Sequence, residues 1–155
     1  MQRIYIINGP NLNLLGRREP GIYGSDTLEE IERQCRDAGA AAELDIEFRQ
    51  SNHEGQIVDW IQEAIDDSDA IVINAAAYTH TSVAIHDALR AYTGYVVELH
   101  ISNPHLRESF RHVSYVSTAA DAIVAGLGTM GYELIIPIIK QLLAEQADPA
   151  HGLLS

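Results

Sequence analysis

Lysine and cysteine each occur only once in this chain of 155 residues, as Lys140 and Cys35. A single cysteine excludes an intrachain disulfide and is typical of a protein from a reducing compartment. Cys35 stands at helical spacing from Leu28 and Ile31, which predicts an inert position on an apolar helix face. Because the sequence also has no signal-peptide pattern and no apolar run of about 18 residues, we expect a cytoplasmic protein without a membrane span.

Positive charge is scarce as well, with 10 Lys and Arg against 22 Asp and Glu and a formal net charge of −12. That balance argues against binding to nucleic acid or to an anionic membrane, because both need an electropositive surface. All the basic residues except one are arginine, which suits bidentate recognition of carboxylate or phosphate. Four arginines fall in two predicted loops and indicate a small anionic ligand: Arg17, Arg18, Arg107 and Arg111.

The stretch from Ile4 to Gly24 organises the rest of the chain. Its apolar start, IYII, predicts a strand that helices cover on both faces, and NGPN then breaks the pattern. The polar segment that follows exceeds the roughly 2–6 residues of an ordinary strand-to-helix loop, so we expect a functional segment such as a lid. It carries Tyr23; the alternative is a solvated loop with this tyrosine packed on the core.

Strand and helix patterns alternate along the remaining sequence. Helical spacing predicts helices from Leu28 to about Ala41, around 57–65, from about Ser82 to Tyr92, and up to about Ala144. Strands are predicted at 44–48, where polar alternation indicates a sheet edge, at 70–73, from 95 and at 122–125. The alternation predicts a single-domain α/β, flavodoxin-like fold over residues 1–145. This fold is a five-stranded parallel sheet with helices on both faces. Residues 146–155 are expected to be a disordered tail.

Polar residues interrupt the apolar runs at the ends of the first, third and fourth predicted strands. A flavodoxin-like strand order places the first and third strands side by side, and ligands bind beyond the carboxyl ends of such strands. We therefore expect one crevice to collect these groups: Asn11, Asn74, Glu98, His100 and Ser102. Burying Glu98 would be costly without a partner, although it could simply pair with an arginine.

The residue types at this crevice favour acid/base chemistry. Tyr23, His100 and His80 are the candidate proton carriers, although His80 could instead cap a helix. The histidines lack the HxH or HExxH spacing of a metal site, and no glycine-rich phosphate loop is present, so we expect no metal and no cofactor. Two other classes stay open: a carboxylate-binding module without catalysis, and a flavodoxin-like nucleotide binder.

Three blocks of sequence, NGPNLNLLGRREPGIYG, NAAAYTHTSVAIHDAL and VELHISNPHLRESFRHVSY, resemble the type II 3-dehydroquinate dehydratase family. The resemblance runs from about Arg3 to Leu143. It implies a flavodoxin-like fold and a cofactor-free anti elimination of water from 3-dehydroquinate, through an enolate, to 3-dehydroshikimate in the shikimate or quinate pathway. It also implies a homo-oligomer, a trimer packed into a dodecamer.

The resemblance also implies the catalytic roles. Ionised Tyr23 removes the C2 proton, with Arg18 nearby favouring the phenolate, and His100 protonates the departing C1 hydroxyl. Asn11 with a bound water steadies the enolate oxygen, and Glu98 orients the base or its water. A free phenol has a pKa of about 10, so a tyrosinate base at neutral pH needs a shift that nearby cations can supply.

The remaining implied roles concern substrate binding. The residues that hold the substrate's carboxylate and hydroxyls are Asn74, His80, Ile101, Ser102 and Arg111, with Arg107 in a lid-closing charge network and Asp87 reaching a neighbouring subunit's site. Ala76 is a departure, because many relatives carry glycine there, and its methyl group is expected to crowd the pocket slightly. An imine route is not expected, since Lys140 stands midway along the last predicted helix.

Overall fold

The computed structural model describes residues 1–17 and 19–148, and at Pro20 and Tyr23 only the backbone. Its strands are β1 (Gln2–Asn8), β2 (Leu44–Gln50), β3 (Ala70–Asn74), β4 (Tyr95–His100) and β5 (Ala122–Ala125). Its α-helices are α1 (Pro20–Tyr23), α2 (Leu28–Ala41), α3 (Glu54–Asp67), α4 (Val83–Ala91) and α5 (Met130–Gln146). The predicted α/β fold is confirmed.

All five strands are parallel and lie in the order β2-β1-β3-β4-β5. The predictions that β2 forms an edge and that β1 lies beside β3 are both confirmed. The register ends with Asn8 opposite Asn74, so two asparagines stand side by side where the central strands finish. The strand order reverses direction at β1 and β3, which is where an open parallel sheet leaves a crevice for a ligand.

The side chains of the central strands alternate between two cores, because successive residues of a strand point to opposite faces. Ile4 and Ile6 of β1 pack with residues of α2 and α5, whereas Tyr5 and Ile7 pack with residues of α3 and α4. All four are fully buried. The continuous apolar run of β1 is therefore explained by helices on both faces.

Helix α2 begins with a capping box, since the Thr27 hydroxyl accepts the Glu30 amide while the Glu30 carboxylate accepts the Thr27 amide. This reciprocal pairing satisfies two backbone donors that the helix itself leaves unpaired. Cys35 lies on the buried face of α2, and burial raises the pKa of its thiol to about 12. The predicted position on an apolar helix face is confirmed, and this environment supports the expectation of an inert thiol.

The expected lid, the polar segment that ends at Gly24, contains a short 3-10 turn at Leu12–Leu14 and the single-turn helix α1. Helix α5 passes the predicted domain end at 145 by one residue, and residues 149–155 of the predicted tail lie outside the described residues. Within the described part of the chain, no helix combines the length and apolar character needed to cross a membrane.

Candidate active site

A pocket opens at the carboxyl edge of the sheet, above the ends of β1, β3 and β4. Most of the predicted site residues line it: Asn11, Asn74, His80, His100, Ile101, Ser102, Arg107 and Arg111. They come from three blocks of sequence that the parallel sheet brings to one edge. The predicted shared crevice is confirmed for Asn11, Asn74, His100 and Ser102.

Asn11 is held by its backbone rather than by its side chain. It adopts a left-handed conformation with φ of 68°, and its N–H donates to Asn52 Oδ1 at 2.9 Å. Gln50 donates to the Gly9 carbonyl at 3.1 Å. A Cβ at Gly9 would meet the Ala75 carbonyl oxygen at 2.3 Å, so only glycine lets this loop approach the segment after β3. Gln50 and Asn52, which hold this loop from the end of β2, were not predicted from the sequence. The only signal for them is that they are polar residues at the end of a strand.

Glu98 does not line the pocket but lies beneath His100, which corrects the expectation that it faces the crevice. Its side chain is almost fully buried, and its Oε2 accepts from His100 Nε2 at 2.5 Å and from Ser114 at 2.7 Å. The Ser117 hydroxyl donates to Oε1. The partners are thus a histidine and two serines rather than the arginine considered as an alternative. Glu98 and His100 meet because they stand two residues apart on one strand face.

The hydrogen bonds decide the charge of this buried carboxyl. Burial acts to raise the pKa of Glu98, but the hydrogen bonds from His100, Ser117 and Ser114 outweigh it and lower that pKa below its usual value. The carboxylate is therefore ionised at neutral pH and accepts the Nε2–H of His100. Since Nε2 is occupied in this way, Nδ1 is the ring nitrogen that His100 can offer to a ligand.

His80 is a second histidine that lines the pocket. Its Nδ1–H donates to the Val113 carbonyl at 2.7 Å, because a carbonyl oxygen can only accept. Burial lowers the pKa of its imidazole, so the ring is neutral near pH 7 and its Nε2 is an acceptor. The capping alternative is wrong, because the Ser82 side chain caps α4 by accepting from the Ile85 N–H.

Two arginines give the pocket a cationic wall in an acidic protein. Arg107 Nη1 donates a hydrogen bond to the Ser102 hydroxyl oxygen at 3.4 Å. Arg111 donates through Nε to Glu108 at 2.5 Å, which leaves its terminal nitrogens for a ligand carboxylate in a bidentate geometry. Glu108 was not predicted; its spacing of three residues from Arg111 was the available signal.

The remaining predicted site residues are Arg18, Tyr23 and Asp87. Arg18 lies outside the described residues, and Tyr23 is described only by its backbone, in α1. Asp87 is exposed on α4 and does not line the pocket. Its role at a neighbouring subunit's site stays a prediction. Lys140 lies inside α5 and is absent from the pocket lining.

Within residues 1–17 and 19–148, no group of three or more His, Cys, Asp or Glu side chains is arranged to hold a metal ion.

Ala76 lines the pocket and adopts a left-handed conformation with φ of 52°. Steric crowding of a Cβ in that region costs about 1–2 kcal/mol. The effect of the extra methyl group is therefore backbone strain as well as the crowding expected from sequence. Its N–H donates to Asn74 Oδ1 at 3.2 Å, which helps to hold the strained conformation in place.

Replacing Ala76 by glycine is expected to raise the free energy of unfolding by about 0.5–1 kcal/mol, because strain relief exceeds the added entropy of the unfolded chain. The matched control is Ala77→Gly, since Ala77 is exposed and is not among the residues with positive φ. That variant should lose stability. Urea unfolding of both proteins measures the difference, and a loss in Ala76→Gly equal to that in Ala77→Gly contradicts the assignment of strain.

The chain is similar to known proteins in both sequence and fold. The family model described as dehydroquinase class II matches residues 2–140. A 3-dehydroquinate dehydratase from Rhizobium johnstonii is 54% identical over 143 residues, covering 92% of this chain and 99% of the relative. Another, from Cereibacter sphaeroides, is 58% identical over 141 residues, covering 91% of this chain and 96% of the relative.

Solved structures agree with this similarity. A type II dehydroquinase from Propionibacterium acnes superposes with a TM-score of 0.88 at 42% identity, covering 91% of this chain and 97% of the other. A type II dehydroquinase from Butyrivibrio crossotus gives a TM-score of 0.87 at 42% identity, covering 92% and 97%.

Proposed function

Because the chain belongs to the class II dehydroquinase family, we propose that it is a 3-dehydroquinate dehydratase, a hydro-lyase that converts 3-dehydroquinate to 3-dehydroshikimate and water. One observation carries the proposal: groups from three separate sequence blocks meet in a single pocket. In that pocket, His100 is hydrogen-bonded to the buried carboxylate of Glu98 beneath it, and two arginines form a cationic wall. These groups can bind a hydroxylated carboxylate and transfer a proton.

The pocket residues have different roles in substrate binding in this proposal. Arg111 and Arg107 supply positive charge for the substrate carboxylate. His80 accepts a hydrogen bond from a substrate hydroxyl through Nε2, since its Nδ1–H is already given to Val113. Asn74 and Ser102 offer further polar contacts, and Ile101 adds an apolar part to the lining.

The elimination proceeds in two steps in this proposal. Ionised Tyr23 takes the proton from C2, and the electrons of that C–H bond move into an enolate whose oxygen Asn11 steadies through a water molecule. The enolate then forms the C1–C2 double bond as the C1–O bond breaks, and His100 gives its Nδ1 proton to the leaving hydroxyl, which departs as water. The negative charge of Glu98 compensates the positive charge of the protonated imidazole.

Turnover of 3-dehydroquinate tests the proposal directly, because the product is a conjugated enone with its own ultraviolet absorbance. We expect enone to accumulate with purified protein and to do so equally after treatment with substrate and borohydride, since no lysine lines the pocket. Substrate binding without enone formation would identify a silent carboxylate-binding module. Substrate-dependent inactivation with modification of Lys140 would overturn the enolate route in favour of an imine.

The assembly is part of the proposal. We infer a trimer packed into a dodecamer, with Asp87 of one subunit reaching the site of the next. Exposed apolar side chains near the pocket support such contacts, because surfaces of this kind are typical of protein interfaces: Val83 (55% exposed), Leu106 (84%) and Phe110 (64%).

Replacing Asp87 by alanine is expected to lower kcat/KM about tenfold or more, the value of one hydrogen bond to a charged group. Asp66→Ala is the matched control, because Asp66 is another exposed acid but lies on α3, at the other end of the sheet. Light scattering on the native protein should give a particle far larger than a monomer. A monomeric species with full activity would refute the shared site.

The single cysteine and the absence of any disulfide support a cytoplasmic location. The activity would serve aromatic amino acid biosynthesis through the shikimate pathway, or the quinate pathway.

A further inference from the structure

Two buried asparagines adjoin the pocket from neighbouring strands. Asn8 and Asn74 are register partners at the ends of β1 and β3, and they are 0% and 4% exposed. Ile6 and Val72, two residues earlier, lie in the core that faces α2 and α5. Because a strand has a period of two, both asparagines point to that same face, where Tyr132 of α5 lies with 1% exposure.

These three side chains form one hydrogen-bonded relay. The Tyr132 hydroxyl donates to Asn8 Oδ1 at 2.7 Å and accepts from Asn74 Nδ2 at 2.9 Å. Asn8 Nδ2 donates to the Arg49 carbonyl at 3.1 Å. Asn74 Oδ1 accepts from the Ala76 N–H at 3.2 Å.

Backbone groups at the two ends fix the direction of the relay. The Arg49 carbonyl can only accept, so Asn8 must turn its NH₂ to it and its Oδ1 to Tyr132. The Ala76 N–H can only donate, so Asn74 must turn its Oδ1 to it and its NH₂ to Tyr132. The phenol has one hydrogen, which goes to Asn8, and it therefore receives the hydrogen from Asn74. Both amide orientations are determined without ambiguity.

We propose that Tyr132 and Asn8 are positioning residues that fix the amide of Asn74 so that its second Nδ2 hydrogen is presented to a substrate oxygen in the pocket. This inference rests on the proposed dehydratase function. Nδ2 carries two hydrogens and the relay uses one, while Asn74 itself lines the pocket. The relay makes Asn74 a donor. The flipped amide would offer the substrate a carbonyl oxygen instead, which repels a carboxylate or carbonyl oxygen and can only accept a hydrogen bond from a hydroxyl.

The relay keeps the same direction across the working pH range. Burial raises the pKa of the Tyr132 phenol well above its ordinary value, so the hydroxyl stays protonated. Tyr132 thus differs in role from Tyr23, the tyrosine that the mechanism requires in ionised form.

The test is a double-mutant cycle with Tyr132→Phe in the wild-type and Asn74→Ala backgrounds, measured as steady-state turnover of 3-dehydroquinate. In the wild-type background we expect kcat/KM to fall about five- to tenfold, the size of one hydrogen bond, mainly through a higher KM. In the Asn74→Ala background Tyr132→Phe should change kcat/KM by less than about twofold, because the group that it positions is gone.

Tyr92→Phe is the matched control, because Tyr92 also has a buried ring whose hydroxyl bonds a side chain, that of Ser68, on the opposite face of the sheet. It should leave KM unchanged. Asn8→Ala breaks the relay at its other end and should raise KM as Tyr132→Phe does. If Tyr132 had a purely structural role, Tyr132→Phe would lower kcat without changing KM, and it would lower kcat/KM equally in the wild-type and Asn74→Ala backgrounds. Either result overturns the proposal that Tyr132 positions Asn74. Turnover by the wild-type protein in the same assay tests the dehydratase function separately.

Discussion

Replacing Tyr23 by phenylalanine is expected to lower kcat by about 10²–10⁴-fold, the usual loss on removal of a general base, while substrate still binds. Phenylalanine keeps the ring and removes only the oxygen that takes the C2 proton. Steady-state kinetics with 3-dehydroquinate, together with a direct binding measurement, separate the two effects. A variant with near-native kcat would show that another group takes the proton, with His80 or His100 first to be examined.

Two comparisons sharpen this experiment. Tyr95→Phe removes a phenol oxygen at the amino end of β4, the sheet edge opposite the pocket, and should change kcat by no more than about twofold. Arg18→Ala leaves the phenol in place but removes a cation that favours its ionised form, so the acidic limb of the rate profile should move to higher pH. An unmoved acidic limb would mean that Arg18 does not act through the base.

Replacing His100 by glutamine is expected to lower kcat by about 10²–10³-fold, because glutamine has no ionisable proton for the departing hydroxyl. Its amide can still donate to Glu98, so the buried carboxylate keeps a partner and the fold should be retained. His105→Gln is the control, since His105 is exposed and does not line the pocket. Equal losses in both variants would show that His100 has no special role as an acid.

Replacing Glu98 by glutamine tests whether an ionised carboxylate supports His100. The quantity measured is the free energy of unfolding as a function of pH, rather than activity. A carboxylate only accepts, whereas the glutamine NH₂ would face one of the donors His100, Ser114 or Ser117, at a cost of about 1–3 kcal/mol in unfolding free energy. Because the folded pKa of Glu98 is lowered, its stabilisation is present above an unfolded pKa of about 4.3 and is lost as pH falls through the folded value. The stability gap between wild type and variant should therefore narrow in acid. A gap independent of pH would contradict an ionised Glu98.

The fold was predictable because the residue pattern of each strand indicates which of its faces are buried. The run IYII of β1 predicts burial on both faces, and the polar alternation of β2 predicts an edge; both are confirmed. Several pocket residues were predictable for a related reason: Asn74 and His100 stand at strand ends, and all parallel strands end at one edge.

Their partners were not predictable from spacing. Ser114 and Ser117 reach Glu98, Asn52 reaches Asn11, and Tyr132 reaches Asn74 from 58 residues away. The left-handed φ of Ala76 is equally a property of the folded chain. The sequence by itself determined which residues are buried and at which edge the polar groups gather, because periodicity records the faces of each element. Only the tertiary structure decided which donor meets which acceptor, because those distances depend on how separate helices and loops pack against the sheet.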